Sequence, residues 1–98
     1  MDYKLRKSAI SDIRDIGRYT LDRFWAKQRN EYLLGLETHF KTISAEPYRH
    51  KPRNDISDGL CCCSYKQHLI FYRISANFVD VLAGLHKRML PEMHLFKT

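Results

Sequence analysis

Side chains that could do chemistry gather in two places. Cys61, Cys62 and Cys63 are consecutive and are the only cysteines in the chain. Further on, His86, Lys87, Arg88 and His94 bring basic and titratable groups together near the C-terminus. Adjacent thiols suggest metal ligation, a redox switch or nucleophilic attack. On a strand, Cys61 and Cys63 share one face and Cys62 takes the other, so the three cannot converge on one ion. Zinc sites usually space their thiolates by at least two residues to allow a turn. An odd, unspaced set of thiols is also no disulfide framework. A catalytic thiolate needs a base within hydrogen-bond reach, and His68 is the nearest one in sequence. Without any such site, the triplet is three small, apolar, strand-compatible side chains in a reducing compartment. The remaining histidines lack metal-motif spacing, and His39 is expected to be solvated on its helix. No metal and no cofactor are expected.

These residues need elements to position them. Tyr3 to Arg6 alternates apolar and basic residues, as a short strand does. Ser8 is expected to cap a following helix, with Asp12 and Asp15 favouring its positive end. Ile10, Ile13, Ile16, Gly17, Thr20, Leu21 and Phe24 recur at steps of three and four, the stripe of an amphipathic helix. Gly17 costs about 1 kcal/mol against Ala in mid-helix, which points to close packing there. A phase shift near Trp25 starts a second helix, with Arg29, Leu33, Leu36, Phe40 and Ile43 on one face. Glu46-Pro47 ends it, and the two helices should form an antiparallel hairpin. A basic loop from Pro47 to Asp55 follows. Then come three strand-like runs, Leu60–Tyr65, His68–Ile74 and Phe78–Leu85. Short links at Lys66-Gln67 and Ser75-Ala76-Asn77 imply an antiparallel meander. The expected fold is α+β, ordered β-αα-βββ, with a twisted antiparallel sheet covered on one face by the helical hairpin.

Length and charge narrow the function. At 98 residues the chain is expected to be one domain, residues 1–98, with a modest core. A hydrophobic content of 44% suits a folded globule. No apolar run is long enough to cross a membrane, and the charged N-terminus lacks a signal-peptide core, so a cytoplasmic protein is expected. The net charge of +6 favours an acidic partner, either nucleic acid or protein.

Four segments resemble the ParE toxins of the RelE/ParE toxin–antitoxin superfamily. Asp12-Ile13-Arg14-Asp15-Ile16-Gly17-Arg18-Tyr19-Thr20 is similar to the family's first helix. Pro47-Tyr48-Arg49-His50-Lys51-Pro52-Arg53, followed by Gly59-Leu60, is similar to its loop into the sheet. His68-Leu69-Ile70-Phe71-Tyr72-Arg73-Ile74 is the most characteristic strand. Val81 to Met89 with Pro91-Glu92-Met93-His94 resembles the last strand and C-terminal end. His50, where many relatives carry glycine, and the cysteine triplet depart from the pattern.

The resemblance implies a toxin that blocks replication by inhibiting DNA gyrase, held in a hetero-oligomer by a ParD-type antitoxin. It implies binding rather than catalysis, and DNA contact only through the antitoxin or a gyrase complex. His86, Lys87, Arg88, Pro91 and His94 would form the gyrase-directed surface, and Tyr19 and Arg73 would meet the antitoxin. Trp25 and Tyr72 are expected in the core, and the Arg49–Arg53 run is expected to be solvated. An enzyme rival exists, because the RelE branch cleaves mRNA on the ribosome. Such chemistry needs a base, an acid and cations for the phosphate. Here the corresponding strand carries Cys61-Cys62-Cys63 instead of cations, and His68 replaces an arginine. A third possibility is a non-toxic homologue that only binds antitoxin.

Overall fold

The structure is a computed structural model that describes residues 1–89 and Pro91. Its elements run β1 (Asp2–Leu5), α1 (Lys7–Arg23), α2 (Ala26–Ala45), β2 (Cys61–Tyr65), β3 (His68–Ser75) and β4 (Phe78–His86). This is the expected order and an α+β fold. The strands form one sheet in the order β1-β4-β3-β2.

β2, β3 and β4 make the antiparallel meander anticipated from their short links. β1 does not continue it. It pairs parallel with β4, from Asp2 opposite Phe78 to Leu5 opposite Val81. The sheet is therefore mixed rather than wholly antiparallel. The physical reason is connectivity: the helical hairpin carries the chain away from β1, and the meander's last strand returns alongside it. The Arg6 N–H extends this pairing to the Val81 carbonyl at 3.0 Å. The Arg6 guanidinium then clasps Asp80, with Nη2 2.8 Å from a carboxylate oxygen.

α1 starts earlier than Ser8. Arg6 is its N-cap residue, and Ser8 lies inside the helix. The Ser8 hydroxyl instead donates to the Leu82 carbonyl at 2.7 Å, tying α1 to β4. Asp12 lies beyond the first turn, where it accepts the Gly84 N–H at 3.1 Å. The stripe of α1 is also narrower than its periodicity suggests. Ile16, Gly17 and Thr20 are buried, whereas Ile10, Leu21 and Phe24 are exposed. At Gly17 an added Cβ would touch Leu33 Cδ1 at 3.4 Å, so the helices do approach closely there.

Two clusters fill the core. Leu36, Phe40 and Ile43 of α2 meet Cys61, Cys63, Ile70, Tyr72, Val79 and Val81 between helices and sheet. The opposite sheet face buries Leu60, Phe71, Ala83 and Leu85, with Ile56, Cys62 and Met89 packed around them. Strand alternation thus divides the cysteines as expected. Tyr72 is fully buried, and its hydroxyl donates to the Pro47 carbonyl at 3.0 Å, fastening the long loop to the sheet. Trp25 is not a core residue. It is 80% exposed at the α1–α2 turn, because its position as the N-cap of α2 points it away from both helices' inner faces.

Candidate functional site

The period of two along β3 that buries Ile70 and Tyr72 beneath the helices also brings His68 to that face. Its cross-strand partner is His86, the last residue of β4. The two rings meet edge to face, with centroids 5.5 Å apart. Both are half-buried, where the sheet emerges from under the hairpin.

Neighbouring elements hold each ring. From α2, the Tyr32 hydroxyl lies 2.6 Å from His68 Nδ1. The Tyr32 O–H donates in this bond when His68 carries its proton on Nε2, and the Tyr32 oxygen accepts when His68 carries it on Nδ1. Burial, with Tyr65 adding to it, pushes the Tyr32 phenol up to about 12, so it keeps its proton. Burial and the neighbouring His86 lower the His68 pKa below the usual imidazole value. His86 Nδ1 accepts the Arg88 backbone N–H at 3.1 Å. With its Nδ1 accepting, a neutral His86 ring carries its proton on Nε2. Tyr65 braces the group by donating to the Tyr32 carbonyl at 2.8 Å. The Lys66 ammonium sits 5.1 Å above the Tyr32 ring, close enough for a cation–π contact.

Two hollows meet here. One of about 400 Å³ is lined by Asp12, Asp15, Tyr19, His68, His86 and Arg88, among others. The second, about 530 Å³, shares Tyr19, His68 and His86 and extends to Phe24, Tyr32 and Lys66. Tyr19 and Phe24 are about half exposed on the rim, and Trp25 follows them at the hairpin tip. The Arg23 guanidinium lies 5.2 Å over the Tyr19 ring.

The structure brings His86, Arg88 and Tyr19 to one groove, although the sequence reading had divided them between two partners. Lys87 is exposed beside them and Pro91 is half-buried. His94 lies outside the described residues. Arg73 is elsewhere: its guanidinium bonds the Asp58 carbonyl and the Ser57 hydroxyl, holding the loop before β2. Tyr32, Lys66 and His68 are among the groove residues that the sequence did not mark as a binding surface. The one available signal was that His68 and Tyr65 flank a two-residue turn, which makes them cross-strand partners.

The cysteines have a different neighbour from the one expected. His39 is half-buried rather than solvated, because its side of α2 faces β2. Its Nε2 is 2.8 Å from Cys63 Sγ. Burial, with Cys62 adding to it, pushes the Cys63 thiol up to about 12. Burial and His50 lower the His39 pKa. The pair is therefore a neutral thiol donating to a neutral imidazole, the reverse of the thiolate–imidazolium arrangement that activates a nucleophile. Cys61 and Cys62 are raised by burial as well. Among the described residues no group of three or more His, Cys, Asp or Glu side chains could hold a metal ion. No helix among them is long and apolar enough to cross a membrane.

The fold, a helical hairpin on a four-stranded mixed sheet, is one already seen in a solved structure. A solved structure titled "Chromosomal ParDE TA system from P. aeruginosa" superposes with a TM-score of 0.77 over 88% of this chain and 95% of that one, at 11% identity. At that identity the likeness speaks for the fold. Sequence comparison is more specific: the family described as "ParE toxin of type II toxin-antitoxin system, parDE" matches residues 3–91, and the chain belongs to that family. Toxin ParE1 of Caulobacter vibrioides is 28% identical over 93 residues, covering 95% of this chain and 96% of its own. Toxin ParE1 of Mycobacterium tuberculosis is 30% identical over 94 residues, with the same coverage.

Proposed function

We propose that this ParE-family toxin acts in the cytoplasm by binding DNA gyrase and stalling replication, and that a ParD-type antitoxin neutralises it. The family match along nearly the whole chain carries this reading. The exposed cationic end of the meander, Lys87 and Arg88 beside the half-buried His86, is the surface we assign to gyrase. Pro91 and His94 follow it in sequence. The groove next to it is the surface we assign to the antitoxin, with Tyr19 on its rim. Occupying the groove would cover the toxic end, so neutralisation follows from occlusion.

An mRNA endonuclease is the competing activity. Such an enzyme needs a base, an acid and several cations on the phosphate. β2 carries three protonated thiols and no cation, and His68 and His86 each use Nδ1 in an internal hydrogen bond. The test is induction of the chain in cells, with DNA and protein synthesis followed separately. Early arrest of DNA synthesis with filamentation is expected. Early arrest of translation with mRNA cleavage would overturn the gyrase reading, and an absence of growth arrest would leave only antitoxin binding.

A further inference from the structure

We infer that the groove at the hairpin tip seats a carboxylate of the antitoxin between His68 and His86, while adjoining apolar antitoxin side chains rest on Tyr19, Phe24 and Trp25. The inference rests on the antitoxin reading above and adds the chemistry of one contact.

Hydrogen-bond polarity carries it. His86 Nδ1 takes the Arg88 N–H, which leaves that ring an Nε2–H donor, and a protonated His68 presents an Nε2–H donor whichever way its Nδ1–Tyr32 bond runs in the free toxin. Two donors on rings 5.5 Å apart, with Lys66 and Arg88 on the walls, suit an anionic acceptor. A metal would require bare nitrogens instead. The other wall of the groove decides which anion. Asp12 and Asp15 line it, Asp12 holding the Gly84 N–H and Asp15 facing Arg18 at 3.9 Å. A run of phosphates would meet these carboxylates. A peptide can place one acidic side chain at the imidazoles and neutral or basic ones beyond. The exposed Tyr19, Phe24 and Trp25 supply the aromatic anchors that protein interfaces favour. The chain's +6 charge suits an acidic partner.

The seat should also draw a proton. Every group facing the pair bears on this: Asp12, Asp15 and Tyr19 from α1, Tyr32 from α2, Tyr65 and Lys66 from the β2 end, and Arg88 after β4. Burial and His86 keep His68 neutral in the free toxin. An entering carboxylate favours its charged form. The Tyr32 oxygen can accept the Nδ1–H of a protonated His68, whereas His86 must keep Nδ1 bare for the Arg88 N–H. One proton, on His68, is the expected uptake.

Titration calorimetry of the full chain with a ParD-type antitoxin that binds it tests this, between pH 5.5 and 8 in buffers of different ionisation heat. The expected result is uptake approaching one proton. Affinity should rise by at most about tenfold per pH unit as pH falls. His68→Gln should bind at least tenfold more weakly with a flat profile, and one Asp or Glu amide substitution in the antitoxin should reproduce that profile. Tight binding without proton uptake overturns the inference but leaves the antitoxin reading intact, and needs no variant to be measured. Displacement of the antitoxin by an RNA oligonucleotide also overturns it. No binding of any ParD-type antitoxin at any pH overturns both.

Discussion

Gly35 offers a sharp test of how the groove is built. It lies in α2, and a Cβ added there would collide with the Tyr65 hydroxyl and lie 3.3 Å from Cζ. Glycine is thus what admits the tyrosine whose O–H reaches the Tyr32 carbonyl. Gly35→Ala has two opposing effects. Helix propensity gains about 1 kcal/mol. Overpacking costs about 1–3 kcal/mol if the ring must move. The single variant should therefore be up to about 2 kcal/mol less stable. Tyr65→Phe alone loses one hydrogen bond, about 0.5–1.5 kcal/mol. The double variant removes the colliding oxygen, keeps the propensity gain, and should return to near wild-type stability. The two changes should then couple favourably by about 1–3 kcal/mol in a double-mutant cycle from urea melts. In Gly35→Ala, the displaced Tyr65 should also disturb Tyr32, stacked edge-on at 5.1 Å, and hence the NMR titration of His68. If Gly35→Ala were the more stable protein and its effect simply added to that of Tyr65→Phe, the proposed seating of Tyr65 against α2 would be wrong.

Tyr72→Phe leaves the buried Pro47 carbonyl without its partner and should cost about 1–3 kcal/mol. For a chain of this size each kcal/mol lowers Tm by roughly 4–8 °C, readable by thermal circular dichroism. Thiol reagents at pH 7 should leave native Cys63 unmodified and label all three cysteines in denaturant, because burial keeps that thiol protonated; fast native labelling at Cys63 would contradict the neutral Cys63–His39 pair. His39 and His68 both have pKa values depressed by folding, so their contribution to stability is present above about pH 6.5 and is lost as pH falls through the folded values. Urea midpoints should decline with acidification from that pH, less steeply in His39→Gln and His68→Gln. The antitoxin complex should resist strong salt and separate only in denaturant, since aromatic anchors are not screened; full dissociation by salt would reject apolar docking.

Periodicity and turn chemistry made most of the architecture legible. The three-and-four spacing marked both helices, and short links of two and three residues marked the meander, because these signals are local. Cys61 and Cys63 could be placed on one face from strand alternation alone. Local signals mislead where a distant partner takes over a group. Ser8 looks like a cap until Leu82 claims its hydroxyl, and Asp12 looks like a helix-dipole residue until the Gly84 N–H does the same. Trp25 and Phe24 follow helical spacing yet stay exposed, because the hairpin turns before any layer can cover them.

The sequence alone determined the element order, the family and the absence of cations from the β2 strand. Residue type and short-range spacing are enough for each of these. Only the tertiary structure decided that β1 runs parallel to β4, that His39 rather than His68 meets Cys63, and that Tyr32, His68 and His86 share one groove. Those pairings join residues 18 to 76 positions apart, and they arise from strand register and helix docking. No local propensity encodes them.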